Sequence, residues 1–224
     1  MSSTPRTNLY VDGFNLYYGA AKKTRLKWVN VTALAEAALP GIKITDTRYF
    51  TAMVKSDADD PKRAQRQQAY LRALRTLPNL TVIEGRYQYT EISAKHCNPP
   101  PKYVRVHKAE EKGTDVNIAT HMLVDAFRGA CDQMVLITND SDLEEPVRII
   151  NAELNIKVFV LNPQTSHTTA RGSSRKRQSL HLRGVAFSVT DITSDGNNCH
   201  MTKAQLPHVL HDANGTITIP PTWL

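Results

Sequence analysis

The apolar run Val135-Leu136-Ile137 ends on Thr138-Asn139-Asp140-Ser141-Asp142, two aspartates one residue apart, and helix-like sequence resumes at Leu143. A run this short, bounded by polar turn residues, reads as a buried strand. Buried strands alternating with helices belong to a mainly parallel sheet covered on both faces. In such a sheet the carboxyl ends of the strands open into one crevice, so acids that end two neighbouring strands meet although they are far apart in the chain. A second run, Leu9-Tyr10-Val11, ends on Asp12, with Gly13 and Asn15 just beyond. A third acid, Asp115, opens a helix within Glu110-Glu111-Lys112-Gly113-Thr114-Asp115-Val116. Together these make an acidic cluster suited to a cation.

The rest of the chain supplies the layers. Thr7 to Val11 reads as the first strand, Phe14 to Ala21 and Val31 to Leu39 as helices, the latter stopped by Pro40-Gly41. Ile42 to Val54 contains a β-branched and aromatic strand, and Pro61 to Leu77 is an amphipathic helix. Leu80 to Tyr89 and the shorter Tyr103 to His107 are strands that pair as an antiparallel ribbon at one edge of the sheet. The helix from Asp115 to Phe127 is expected to bury Val116, Ala119, Leu123, Ala126 and Phe127, with Thr114 as its N-cap. Gln133 to Thr138, Leu143 to Ala152 and Ile156 to Leu161 complete a strand, helix, strand series. The expected fold is therefore α/β, a three-layer α/β/α sandwich, in residues 1–163. Residues 164–224 form a basic C-terminal extension, packing on the core through Leu180, Phe187, Leu206, Ile217, Ile219 and Trp223.

Composition narrows the function. The 224 residues allow one sizeable domain, and the net charge of +7 with pI near 9.4 points to a polyanionic partner. No stretch approaches the ~18 apolar residues of a membrane span, and the start Met1-Ser2-Ser3-Thr4-Pro5-Arg6 lacks a signal-peptide core. The three cysteines are odd in number and form no CxxC pair, so a cytoplasmic setting is expected.

Crowded carboxylates repel one another, and a hard divalent ion such as Mg2+ or Mn2+ relieves the repulsion while polarising a phosphoryl oxygen and activating water. Hydrolysis of a phosphodiester is the chemistry this favours. Gly13, Gly113 and Ser141 are small enough for a substrate backbone to approach, and Lys112 is placed to hold a phosphate. Taken singly, each motif is an ordinary turn or helix cap. His96, Cys97 and His107 lack the second pair of a zinc site, and neither GxGxxG nor GxxxxGK[ST] occurs. A covalent phosphatase wants Asp-x-Asp directly after the first strand, where this chain has Asp12-Gly13-Phe14.

Val11-Asp12-Gly13-Phe14-Asn15, Lys112-Gly113-Thr114-Asp115-Val116 and Thr138-Asn139-Asp140-Ser141-Asp142-Leu143 resemble the three signatures of NYN domains, the PIN-like group that includes LabA-like proteins. The resemblance runs from about Thr7 to Leu161. It implies a PIN-like, Rossmann-like sandwich and a metal-dependent ribonuclease in which Asp12, Asp115, Asp140 and Asp142 are the acids, Asn15 assists and Mg2+ or Mn2+ is the cofactor. RNA, single-stranded or structured, is then the partner, with Lys112, Ser141 and the basic run Arg171, Arg175, Lys176 and Arg177 on its backbone, and a homodimer is allowed. The alternative is a nucleic-acid or protein-binding module without turnover. The chain departs from the group at His121, where members often carry an acid, and at Asn139, where glycine is frequent.

Overall fold

The computed structural model describes residues 4–164, 179–193 and 200–224. In chain order the elements are β1 (Thr7–Asp12), α1 (Gly13–Leu16, widening into a last turn at Tyr17–Ala21), α2 (Val31–Ala38), β2 (Asp46–Thr51), α3 (Arg63–Leu74) and β3 (Leu80–Glu84). They continue as β4 (Arg86–Lys95), β5 (Tyr103–Lys112), α4 (Thr114–Phe127), β6 (Gln133–Ile137), α5 (Glu144–Arg148), β7 (Lys157–Asn162), α6 (Leu180–Val185) and β8 (Ser188–Asp191). A short helix α7 (His200–Lys203) and the hairpin of β9 (Val209–Asp212) and β10 (Gly215–Thr218) close the chain.

The central sheet runs β3-β2-β1-β6-β7-β8, and every pairing in it is parallel. Successive residues of a strand point to opposite faces. Leu9, Val11, Val135 and Ile137 therefore meet α1, α2 and α3 on one side, while Tyr10, Met134 and Leu136 meet α4, α5 and α6 on the other. The result is the three-layer α/β/α sandwich, and its two central strands read as unbroken apolar runs because both their faces are covered.

The described residues beyond 163 contribute in two ways. β8 adds the outer strand beside β7, and the segment from α7 to the end covers the α1–α3 face. Trp28 is fully buried there, tilted against Tyr70 and Trp223, and its indole N–H donates to the Pro207 carbonyl at 2.9 Å. Arg72 on α3 donates two hydrogen bonds to Asp212, at 2.9 and 2.7 Å, and so ties the hairpin to the helix layer. Leu206, Ile217, Ile219 and Trp223 are buried as expected, whereas Leu180 and Phe187 are exposed.

Three sequence expectations are corrected. The strand read over Leu80 to Tyr89 breaks at Gly85, where an added Cβ would stand 2.8 Å from the Thr114 hydroxyl. There the chain leaves the main sheet and enters the β4–β5 ribbon, which is a separate two-stranded sheet. β5 does not stop at His107 but continues in register to Lys112, opposite Arg86. Finally, α4 buries Ile118, Met122, Asp125 and Ala126, while Val116 and Phe127 are 68% and 71% exposed. The cause is Asp125, which accepts hydrogen bonds from Asn8, Tyr10 and Arg48 beneath the helix and turns that face to the sheet. An expectation built on apolar residues alone misses a buried carboxylate that is satisfied in this way.

Candidate active site

Between β1 and β6 the strand order reverses direction. The chain after β1 enters α1 on one face and the chain after β6 enters α5 on the other, so the loops part and leave a crevice at the carboxyl ends. Asp12 is the last residue of β1 and only 3% exposed. One of its oxygens accepts from the Asn15 backbone N–H at 2.9 Å, which caps α1, and the other accepts from the Thr138 hydroxyl at 3.0 Å. The network continues outward. Thr138 Oγ1 accepts from the Asp140 N–H at 3.1 Å, and Asp140 in turn accepts from the Asp142 N–H at 3.0 Å. The Asn15 side chain accepts from the Asn139 N–H at 3.3 Å, and the Asn139 side chain accepts from the Ser179 N–H at 2.7 Å. Asn139 thus works through its side chain, since among the described residues the positive-φ ones other than glycine are Asn79 and Asn155.

The third segment enters at Gly113, whose φ of +89° turns β5 into α4. Gly113, not Thr114, occupies the cap position, and the Thr114 hydroxyl instead donates to Glu111. Asp115 follows in the first helical turn.

Electrostatics binds these segments into one site. Burial raises the Asp12 carboxyl above its usual range, against the opposing hydrogen bonds from Asn15 and Thr138, and Asp140 adds to the rise. Asp115, although at an exposed position, is pushed up to about 6, by partial burial first and then by Asp12, Asp140 and Asp142. Glu111 is pushed up to about 7 by burial, with Asp12 and Asp115 adding to it and the Thr114 hydrogen bond opposing it. Five acids therefore share one field. All their donors are carboxylate oxygens, the set that suits Mg2+ or Mn2+. As the side chains stand, no three His, Cys, Asp or Glu among the described residues converge closely enough to hold one ion. The two observations are compatible, because Coulomb interaction reaches well beyond coordination distance.

Glu111 is the acid the sequence did not single out. It lies on the part of β5 beyond His107, where charged residues hide the strand, and its one local signal is its position just before Lys112-Gly113. Lys112 is partly committed, with its ammonium 3.1 Å from Glu110. Ser141 is exposed at the turn before α5. The His121 ring packs edge-on against Phe50, the neighbour of Asp12 in the sheet, at 5.6 Å, and burial with the nearby Arg48 lowers its pKa against the opposing pull of Asp125. Arg171, Arg175, Lys176 and Arg177 lie outside the described residues.

Comparison with known proteins adds three findings. Residues 6–177 match the family model of the NYN domain. A curated protein of Pseudomonas putida named 6-hydroxy-3-succinoylpyridine 3-monooxygenase HspA is 29% identical over 245 aligned positions, which cover 97% of this chain and 75% of the relative. A crystal structure of a protein of unknown function from Vibrio parahaemolyticus superposes with a TM-score of 0.50 at 16% identity, over 88% of this chain and 98% of that one, a likeness of fold alone.

Proposed function

From the premise that this chain belongs to the NYN domain family, a PIN-like nuclease family, we propose that it is a metal-dependent ribonuclease that hydrolyses RNA phosphodiester bonds in the crevice between β1 and β6. The observation that carries the reading is the meeting of Asp12, Glu111, Asp115 and Asp140 in one field, where Asp140 raises Asp12, Asp12 and Asp140 raise Asp115, and Asp12 and Asp115 raise Glu111. Asp12, Asp115, Asp140 and Asp142 are the residues that would hold Mg2+ or Mn2+. When bound, such an ion polarises the phosphoryl oxygen and lowers the pKa of attacking water.

The chain's own groups do the rest. Asp12 is fixed by hydrogen bonds on both oxygens, so its orientation is set before substrate arrives. Glu111, raised to about 7 and not among the residues that would hold the ion, has a carboxylate suited to accept the proton of the attacking water near neutral pH. Asn15 holds the Asn139 backbone, and with it the loop that carries Asp140. The exposed Ser141 and Lys112 and the basic run at Arg171, Arg175, Lys176 and Arg177 serve the RNA backbone. No helix among the described residues is long and apolar enough to cross a membrane, and the exposed free thiol of Cys97 suits a reducing cytoplasm.

Incubation of the whole chain with end-labelled RNA tests this reading. Cleavage should require Mn2+ or Mg2+, stop with EDTA and vanish in Asp140→Asn without unfolding. Full activity of that variant, or cleavage indifferent to EDTA, would overturn it. The likeness to a named 6-hydroxy-3-succinoylpyridine 3-monooxygenase supports a second reading, oxygenation of an aromatic acid. Hydroxylation of that pyridine by the chain in the presence of oxygen and a reductant, with no RNA cut, would decide for it.

A further inference from the structure

Beside the acid crevice lies a second concavity, enclosing about 720 Å3 when its open mouth is counted. Its wall is aromatic. Tyr18 stacks nearly parallel on Phe14 at 6.1 Å and meets Tyr17 edge-on at 5.2 Å, while Tyr49, Tyr70 and Trp223 continue the wall through edge contacts of 6.0 and 6.2 Å. Tyr18 is 44% exposed at the mouth, with the Lys22 ammonium 4.7 Å over its ring, so a base that stacks there displaces or joins that cation.

The same lining carries Lys27, Arg63 and Arg66 and no carboxylate. Arg63 donates to the Tyr18 hydroxyl at 2.9 Å and lies 3.9 Å from Asp57, a loose pair. Arg66 is paired with Asp60, while the Lys27 ammonium donates to the Thr24 carbonyl. Burial, and Arg66 close by, lower the Lys27 pKa. Cations crowded beside an apolar floor gain most from an anion that enters with a flat apolar body.

The concavity is joined to the acids through Gly13 and Tyr49. A Cβ at Gly13 would lie 2.7 Å from the Tyr49 ring, and the Tyr49 hydroxyl is raised by burial and then by Asp12 and Glu111. One tyrosine therefore separates the two sites.

We propose that this concavity binds one nucleotide of the RNA strand, with its base among Tyr17, Tyr18 and Trp223 and its phosphate on Lys27 and Arg63. The choice of a nucleotide over other aromatic anions rests on the ribonuclease reading, through the shared wall. Stacking on an aromatic side chain tolerates any base, so the site positions the strand without selecting sequence.

Calorimetric titration of the whole chain in EDTA, where nothing is cut, isolates this binding. Adenosine 5′-monophosphate should bind saturably, and adenosine, lacking the phosphate, at least about ten-fold more weakly. The double variant Lys27→Ala, Arg63→Ala should lose about ten-fold in nucleotide affinity, as should Tyr18→Ala, while Tyr18→Phe, which keeps the ring, should retain it. Equal binding of adenosine and the nucleotide, or no saturable binding at millimolar nucleotide, would overturn the proposal. Tighter binding of nicotinate than of the nucleotide would overturn it too, assigning the concavity to small aromatic acids. If RNA is cut but the nucleotide does not bind, the pocket assignment fails and the ribonuclease reading stands. Binding without cleavage upholds the pocket and removes the ribonuclease reading.

Discussion

Glu111→Gln reads the cost of ionising a carboxyl in the crevice, a cost set first by burial and then by Asp12 and Asp115. The glutamate carboxyl is raised from its ordinary 4.5 to about 7, a gap that corresponds to about 3 kcal/mol if carried wholly by the folded state. Glu111 is only partly buried, so solvent screening reduces the working figure to about 1 kcal/mol. Because the folded pKa lies above the unfolded one, the native state binds more protons between about pH 4.5 and 7, and stability falls as pH rises through that window. Glutamine keeps the shape and the acceptor for the Thr114 hydroxyl but never ionises. In EDTA at pH 8 the variant should therefore melt about 2–4 °C higher than the parent chain, and at pH 4.5 the two should coincide. Thermal unfolding followed by circular dichroism at the two pH values reads both numbers. A variant less stable at pH 8, or a difference that does not change with pH, would refute the account of a Glu111 carboxyl raised in the crevice.

Further consequences can be checked in parallel. Gly13→Ala places a Cβ 2.7 Å from the Phe50 carbonyl oxygen and the Tyr49 ring, and should lower stability by about 1–3 kcal/mol in denaturant unfolding. His121→Ala should alter RNA cleavage only a few-fold, because its ring packs on Phe50 and its neighbouring charges are Arg48 and Asp125; a loss as complete as that of Asp140→Asn would reveal a ligand on α4 not counted above. Replacing Arg171, Arg175, Lys176 and Arg177 with Ala should flatten the salt dependence of RNA binding by about 0.7 in slope per lost phosphate contact, with turnover at saturating RNA unchanged. An unchanged slope would leave that run as a linker.

How far the sequence discloses the molecule depends on whether the ordering contact is local. β1 and β6 were legible because strands buried on both faces must be apolar throughout, and their polar ends then mark the crevice, which is why Asp12 and Asp140 stand out. The far end of β5 was not legible. Arg105, His107, Lys108 and Glu110 show no apolar alternation, and the strand exists there because β4 pairs with it in register. Glu111 is hidden in the sequence for the same reason. The buried face of α4 is likewise set by distant partners, Asn8, Tyr10 and Arg48, all of which donate to Asp125. The aromatic concavity draws Lys27, Arg63 and Trp223 from three separate parts of the chain, and no spacing announces it.

The central claim is that the acids at the ends of β1 and β6 and the start of α4 form a cation-dependent phosphodiesterase centre. A crystal of the chain soaked with Mn2+, with the anomalous signal measured, tests it most directly. The account predicts a peak ligated by at least two of Asp12, Asp115, Asp140 and Asp142, and its loss in Asp140→Asn crystals. A soak in which Mn2+ binds elsewhere, or leaves this crevice without a peak, would contradict it.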